Sequence, residues 1–221
     1  GISSLTVNLN GTAYTPFEGL DTNAQVRVTG AFSLPTGLAA NTDYTVTISA
    51  VDVNGVPLKP ATFSFTTLPE VTGATIAGVS TNEVKLTVSG AAAGYVVPSG
   101  WTPRGAHTWT RRDGTPNTAF EATVYGTNRL GQASAVVSAT PGHTHAAVTT
   151  RAPVVEKKDA TTVTVCADGS YAASDDGNPE GTEYAIRVTT SAGATNDVAV
   201  WKTLADWREH PETVAAPDLD L

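Results

Sequence analysis

The sequence has little charge and few of the residues that favour helices. It contains no methionine, and charged residues make up 15% of its 221 positions, below the roughly 25% that is usual for globular domains. Thr, Val, Ala, Gly and Ser dominate, and long runs of Leu, Glu and Lys are missing. Because β-branched and small residues favour strands and turns, the composition predicts an all-β chain.

Basic patches and long apolar runs are also missing. The formal net charge is −8, and the densest basic group consists only of Arg104, Arg111 and Arg112. Nucleic acids and anionic membranes attract positive surfaces, so neither is an expected partner. No apolar run approaches the roughly 20 residues that span a bilayer, and no charged-then-apolar leader precedes Gly1. We expect any secretion signal to have been removed or to lie outside this sequence.

The single cysteine excludes an internal disulfide. Cys166 lies in "ATTVTVCADG", a strand-like segment. A cysteine nucleophile would need a histidine and an orienting acid nearby in space, and the sequence gives no sign of them. We therefore predict that Cys166 is a small apolar residue on the inward face of a strand.

Alternating apolar and polar residues are the main signal in the sequence. The segment "DYTVTISA" alternates strictly, and "VNGVPLKPA" then forms a turn before the strand-like "TFSFTTLP". The same order of strand, glycine turn, strand and proline returns in "GTPNTAFEATVYGTNRLGQASAVVSATP". The pattern predicts one buried face for each of the two long strands, formed by Tyr44, Val46, Ile48 and Ala50 in the first and by Phe120, Ala122, Val124 and Gly126 in the second.

This recurrence, at a spacing of about 70 to 80 residues, is typical of tandem small domains rather than of a solenoid. We predict modules at residues 1–69, 70–141 and 153–221, with residues 142–152, "GHTHAAVTTRA", as a linker. The join between the first two modules, "TTLPEVTG", is shorter and is predicted to be stiffer.

These segments resemble fibronectin type III and related bacterial immunoglobulin-like modules. In that family the pattern L-x-P-x-T-x-Y opens the sixth strand, and "LAANTDY" places Leu38, Thr42 and Tyr44 at the same spacing, without the proline. The resemblance implies tandem immunoglobulin-like β-sandwiches and a hydrogen bond from the Tyr44 hydroxyl to nearby backbone. Phe120 stands at the corresponding position of the second module and has no hydroxyl.

Both end modules are expected to be incomplete. "SLTVNLNGTAY" and "ATFSFTTLP" fit the first module, but its opening strand pair is missing, and the third module stops where its last two strands would follow. Of two explanations, we favour a fragment of a longer repeat protein. The alternative is completion by neighbouring subunits, because unpaired strand edges tend to pair.

Two groups of side chains could hold a metal ion. His143 and His145 lie on one side of an extended segment, a spacing that can hold a metal ion, but no third ligand lies nearby in sequence, so a solvated linker is the favoured interpretation. Oxygen-bearing side chains also gather in one loop, at Asp175, Asp176, Asn178 and Glu180. Their spacing does not match the D-x-D-x-D-G calcium loop, and an ordinary turn accounts for them. We predict no metal site and no cofactor.

A carbohydrate surface is the other binding hypothesis. Trp101, Trp109 and Tyr125 are the candidates for stacking on sugar rings, and Trp101, in a loop between "VPSG" and "TPRG", is the one expected to be exposed. Packing inside a sandwich is the favoured alternative. No catalytic residue is predicted, because the sequence lacks the usual hydrolase, metalloprotease and phosphate-binding motifs.

These observations predict a non-catalytic extracellular segment with a structural or adhesive role, secreted or at the cell surface. It would be a spacer or assembly module whose partners are other modules of the same protein or neighbouring subunits. One alternative is a carbohydrate-binding accessory region of an extracellular polysaccharide-degrading enzyme. Another is a subunit of a surface layer, filament or phage tail.

Overall fold

The computed structural model describes residues 1–14, 36–159, 161–189 and 195–215. Strands in antiparallel sheets dominate these ranges, which confirms the predicted all-β fold. No helix within them has the length and hydropathy that a membrane span requires. The chain divides into two compact units, one made of Gly1–Ala74, Val88–Ser99 and Thr123–Ser138, the other of Thr75–Thr87, Gly100–Ala122 and Ala139–Leu221.

The first unit begins with a four-stranded sheet. Its strands are β1 (Ile2–Leu9), β2 (Thr12–Tyr14), β3 (Asp43–Asp52) and β4 (Ala61–Thr66), in the order β2-β1-β3-β4. The β1–β2 turn is tight because Asn10 and Gly11 both adopt positive φ, at 46° and 93°. The register places Leu9 opposite Val46, and both side chains are buried. One face of the sheet is therefore apolar, as the alternation predicts.

The predicted hydrogen bond of Tyr44 is present. The backbone N–H of Ala39 donates to the Tyr44 hydroxyl at 2.9 Å, and the Thr42 hydroxyl donates to the Ala40 carbonyl at 2.9 Å. Leu38 and Tyr44 pack against the core of this sheet, and the Tyr44 ring stacks on Phe65 with a centroid separation of 5.6 Å. The loop before β3 is thus fixed to the strand that follows it.

Removing this hydroxyl gives a first prediction. Tyr44→Phe keeps the stacked ring but leaves the Ala39 N–H without its acceptor, so we expect a loss of about 1 kcal/mol in the free energy of unfolding. Urea denaturation followed by circular dichroism measures it. Tyr125→Phe, a change in a half-buried strand residue, is the control, and an equal loss in both variants would contradict the role of the Tyr44 hydroxyl.

The middle of the chain forms three further sheets. Their strands are β5 (Glu70–Gly78), β6 (Val84–Ala91), β7 (Gly94–Val96), β8 (Thr102–Gly105), β9 (Thr108–Arg111), β10 (Ala119–Phe120), β11 (Thr123–Thr127), β12 (Val137–Ser138) and β13 (Gly142–His143). The strand orders are β5-β6-β9-β8, β12-β11-β7 and β10-β13. All four residues of the predicted second buried face are buried: Phe120, Ala122, Val124 and Gly126.

A different tyrosine makes a similar bond in the middle of the chain. The Tyr95 hydroxyl donates to the Gly90 carbonyl at 2.8 Å, five residues back in sequence. Phe120, which lacks a hydroxyl, lies under the guanidinium of Arg111 instead, with 5.3 Å between the guanidinium carbon and the ring centroid.

The last part of the chain packs two small sheets and a helix around one core. Its elements are β14 (Val154–Lys157), β15 (Thr162–Cys166), a 3₁₀ helix (Ala173–Asp176), β16 (Glu183–Thr189), β17 (Thr195–Thr203), α1 (Leu204–Glu209) and β18 (Glu212–Ala215). The sheets are β14-β15-β18 and β16-β17. Thr203 caps α1 by accepting the Asp206 N–H at 3.2 Å, which places Leu204 and Trp207 in the core.

Cys166 differs from its predicted placement. Val163 and Val165 of β15 are completely buried, and Cys166 alternates with them on the opposite face, where it is half-buried. Because side chains along a strand alternate with period two, the two valines fix the inward face and exclude Cys166 from it.

Candidate functional site

The residues proposed for sugar stacking do not form an exposed platform. Trp101 is only 8% exposed, which corrects the expectation of an exposed ring, and Trp109 is 7% exposed on β9. Tyr125 is half-buried on β11. Burial removes the large apolar surface of the indole ring from water and so stabilises the folded chain. This explains why the Trp101 side chain is buried although its backbone was expected to lie in a loop. Sugar binding by these three residues stays a prediction.

The exposed tryptophan lies elsewhere. Trp201 on β17 is 65% exposed. In "DVAVWKT" Trp201 alternates with Val198 and Val200, and this short segment does not decide which of the two faces is buried. The alternation of apolar and polar residues therefore could not show that Trp201 is the exposed tryptophan.

The candidate metal ligands are held by protein groups. Asp175 accepts the Ala172 N–H, and Asp176 accepts hydrogen bonds from the Thr150 N–H and hydroxyl. Backbone bonds fix the histidine segment too, since the His145 N–H donates to the Ser80 carbonyl at 2.9 Å. Across the residues that the structure describes, no three His, Cys, Asp or Glu side chains gather closely enough to hold a metal ion.

The first predicted module boundary is crossed by polar contacts centred on Asn128. This side chain is 4% exposed, accepts the N–H groups of Leu130 and Gln132, and donates to the Thr67 carbonyl at 3.4 Å. The neighbouring Arg129 forms an ion pair with Asp43 at 2.7 Å. We name Thr67, Asn128, Arg129 and Asp43 the first junction. Its exposed ion pair adds little energy, so Asn128 is its main element.

The second predicted boundary is crossed in the same way by Asn178. This side chain is 3% exposed, and its carbonyl oxygen accepts the Ala147 N–H at 2.8 Å while its amide donates to the Ala147 carbonyl at 3.1 Å. The amide also donates to the Tyr184 hydroxyl at 3.1 Å. Asn178 thus pairs with one residue of the predicted linker as a neighbouring strand would.

Further bonds reinforce this second contact. The Asn117 amide donates to the hydroxyl of Thr182, which is buried, at 3.0 Å. The Tyr171 hydroxyl also bonds to Asp176, and this bond, together with those from Thr150, lowers the pKa of the Asp176 carboxyl. At neutral pH Asp176 is therefore a charged acceptor for the linker. We name Asn117, Ala147, Thr150, Asp176, Asn178 and Thr182 the second junction.

Both junctions have the same chemistry. A buried asparagine offers two donors and one acceptor oxygen, and each satisfies backbone groups from the far side of a predicted boundary. Sequence reasoning assigned both asparagines to ordinary turns, "TNRLG" and "DDGNPEG". Nothing in the local pattern separates a turn asparagine that faces solvent from one that bridges two segments.

Comparisons with known proteins find similar chains among solved structures only at low sequence identity. A scan of protein-family models gives no match, and a search of curated proteins gives none either. Among solved structures, the FN1–FN3 domains of chicken CNTN1 are 16% identical over 81% of this chain and 67% of theirs, with a TM-score of 0.41. A Bacteroides ovatus SGBP-B of a mixed-linkage glucan utilization locus, in complex with a heptasaccharide, is 11% identical over 96% of this chain and 61% of its own, with a TM-score of 0.23.

The strands and the Tyr44 hydrogen bond carry the assignment of the fold. Antiparallel sheets account for nearly all regular structure in the described ranges, and the bond lies where the sequence pattern predicts it. The described residues therefore form an all-β structure of antiparallel sheets, and the fibronectin type III-like, immunoglobulin-like arrangement of these sheets stays a prediction.

Proposed function

We propose that this chain is a non-catalytic structural segment of a secreted or cell-surface protein, in which successive β modules are held together by fixed junctions. The observation that carries this proposal is the pair of buried asparagines, Asn128 and Asn178, at the two predicted module boundaries. Its partners are other modules of the same protein or neighbouring subunits.

The energetics of the junctions favour stiffness. Opening the second junction would break the two hydrogen bonds between Asn178 and Ala147, the one between Asn117 and Thr182, and the two between Thr150 and Asp176. Each bond contributes about 0.5–1.5 kcal/mol net, and all of them cross the same predicted boundary. A connection of this kind transmits orientation from one module to the next, which a structural segment requires and a free linker does not supply.

The test of this proposal is a distance measurement across the second junction. Spin labels on cysteines introduced at Glu121 and Glu209, in a Cys166→Ser background, report the distribution of distances between two exposed sites of the same unit. We expect a narrow distribution in the otherwise unchanged protein. Asn178→Ala should broaden it by roughly 5 Å or more, the scale of a short flexible linker.

The matched control is Asn54→Ala, in the exposed turn after β3. It removes the same side chain without touching either junction, so the distribution should stay narrow. A distribution that is already broad before mutation, or that Asn178→Ala leaves narrow, would contradict the proposal.

The second candidate function is a carbohydrate-binding accessory region. The exposed ring of Trp201 favours it, because an exposed indole on a strand can stack on a sugar. The measurement is a titration with soluble mixed-linkage glucan and xylan by isothermal calorimetry. Saturable binding that Trp201→Ala abolishes, with an unchanged Tm, would establish this role. From the proposed structural role we expect no saturable binding.

A further inference from the structure

The dipeptide asparagine–glycine occurs twice in the sequence, both times in a turn of the first sheet. Asn10–Gly11 joins β1 to β2, Asn54–Gly55 follows β3, and all four residues are exposed. Because glycine has no Cβ and adopts many backbone conformations, its nitrogen can approach the carboxamide carbon of a preceding asparagine closely. The two pairs share this chemistry, and their surroundings differ.

The reaction that such a pair undergoes is intramolecular deamidation. The glycine nitrogen gives its proton to solvent base and forms a bond to the carboxamide carbon, while the bond from that carbon to the amide nitrogen breaks and ammonia leaves. Water then opens the resulting cyclic imide at either carbonyl, which gives aspartate or isoaspartate. The balance is the gain of a water molecule and the loss of an ammonia molecule, so water is the only co-reactant.

The Asn10 side chain is fixed through both of its polar atoms to strand β3. Its amide nitrogen donates to the Asp43 carbonyl at 3.3 Å, and its oxygen accepts the Thr45 N–H at 2.8 Å. The attacking atom is held too, since the Gly11 N–H donates to the side-chain oxygen of Asn8 at 2.7 Å. Attack at Asn10 therefore requires an opening that breaks bonds to a neighbouring strand.

The bonds of Asn54 and Gly55 stay within their own turn. The Gly55 N–H donates to the Asp52 carbonyl at 3.1 Å, and the Asp52 carboxylate accepts the N–H and the side-chain amide of Asn54. Each of these bonds ends on Asp52, two or three positions earlier in an exposed turn. Asn54 and Gly55 can therefore rearrange while β1, β3 and β4 keep their pairing.

Deamidation at this position would change the electrostatics of the turn. The N–H of Val56, which donates to the Asp52 carboxylate at 2.8 Å, and the bonds from Asn54 lower the pKa of the Asp52 carboxyl. Deamidation would replace the side-chain amide donor of Asn54 with a second carboxylate. Because a like charge nearby disfavours the ionised form, the pKa of Asp52 would rise.

We propose that Asn54 is a site of spontaneous deamidation in the folded protein and that Asn10, which has the same glycine neighbour, is protected from it. The product is a mixture of aspartate and isoaspartate at position 54, with a further negative charge in the turn after β3. This inference goes beyond the structural role proposed above and does not rest on it.

The test compares the two asparagines within one unchanged protein. The full chain is incubated in mildly alkaline buffer, and peptide mapping by mass spectrometry follows the conversion of each side-chain amide to an acid. We expect Asn54 to convert at least roughly tenfold faster than Asn10, because conversion at Asn10 waits for local opening of the β1–β2 turn. Concentrated urea removes both environments, so there the two rates should agree within about twofold.

Two variants examine the two turns separately. Asn8→Ala removes the acceptor of the Gly11 N–H and leaves the other turn untouched, so the rate at Asn10 should rise while the rate at Asn54 stays the same. Asn54→Asp reproduces one product of the reaction. Titration of this variant by NMR should show a higher pKa for the Asp52 carboxyl than in the unchanged protein.

Equal rates at Asn10 and Asn54 in the folded chain, or faster conversion of Asn10, would overturn the proposal. A ratio of rates that concentrated urea leaves unchanged would also overturn it, because the local sequence and not the folded structure would then determine which asparagine reacts.

Discussion

Replacing Trp207 with alanine is expected to cost about 3–5 kcal/mol of stability in the last part of the chain, the usual range for a buried tryptophan. Its side chain is completely buried in the core formed by β15, α1 and β16. The indole N–H donates to the Tyr184 carbonyl at 2.8 Å, and the ammonium of Lys202 lies 4.9 Å from the ring centroid. The variant loses a large apolar contact and leaves a backbone acceptor unpaired. Guanidinium denaturation followed by circular dichroism gives the difference.

Trp201→Ala is the matched control for this prediction. It removes the same residue type only six positions away, from a ring that is 65% exposed, so stability should change by no more than about 0.5 kcal/mol. Equal losses in the two variants would mean that α1 does not hold Trp207 in the core.

The second large effect is expected at Gly90 in β6. Its φ is +141°, and a Cβ at this position would lie 2.1 Å from the Glu70 carbonyl oxygen and 2.9 Å from the Val71 Cα. Both atoms belong to the backbone of the adjacent strand, so neither can move without disturbing the sheet. We expect Gly90→Ala to destabilise the protein by about 3–5 kcal/mol, from the clash and the unfavourable backbone conformation together.

Gly73→Ala provides the comparison in the neighbouring strand, β5. A Cβ there meets no atom within 4 Å, and no positive φ opposes it. The free energy of unfolding should therefore change by no more than about 0.5 kcal/mol. Thermal denaturation should accordingly give a Tm close to that of the unchanged protein. A Gly90→Ala variant as stable as Gly73→Ala would show that the two strands are further apart than described.

The sequence predicts the fold well where side chains alternate strictly. The faces of β3 and β11 follow from period two, and the Tyr44 bond follows from a short pattern with a fixed geometry. Cys166 shows how narrow this information is. In "TVTVCA" period two groups the two valines on one face and Cys166 with the threonines on the other, so the alternation itself, rather than the apolar character of the thiol, indicates the observed placement.

The two junctions could not be predicted from sequence. Asn128 and Asn178 occur in segments that look like turns, and their bridging role depends on which distant backbone groups approach them. The exposures of Trp101 and Trp201 were likewise decided by tertiary packing, since both stand in segments without a clear apolar face. Local pattern therefore indicates strands, and long-range contact decides which side chains bridge them.

The most direct test of the fixed junctions is the hydrogen exchange rate of one amide, that of Ala147. This N–H donates to the Asn178 side chain at 2.8 Å, within a segment whose sequence is that of a linker. If the junction is fixed, Ala147 exchanges at least about a hundredfold more slowly than an unstructured amide, and Asn178→Ala removes this protection. Exchange of Ala147 at the unstructured rate in the unchanged protein would contradict the central claim.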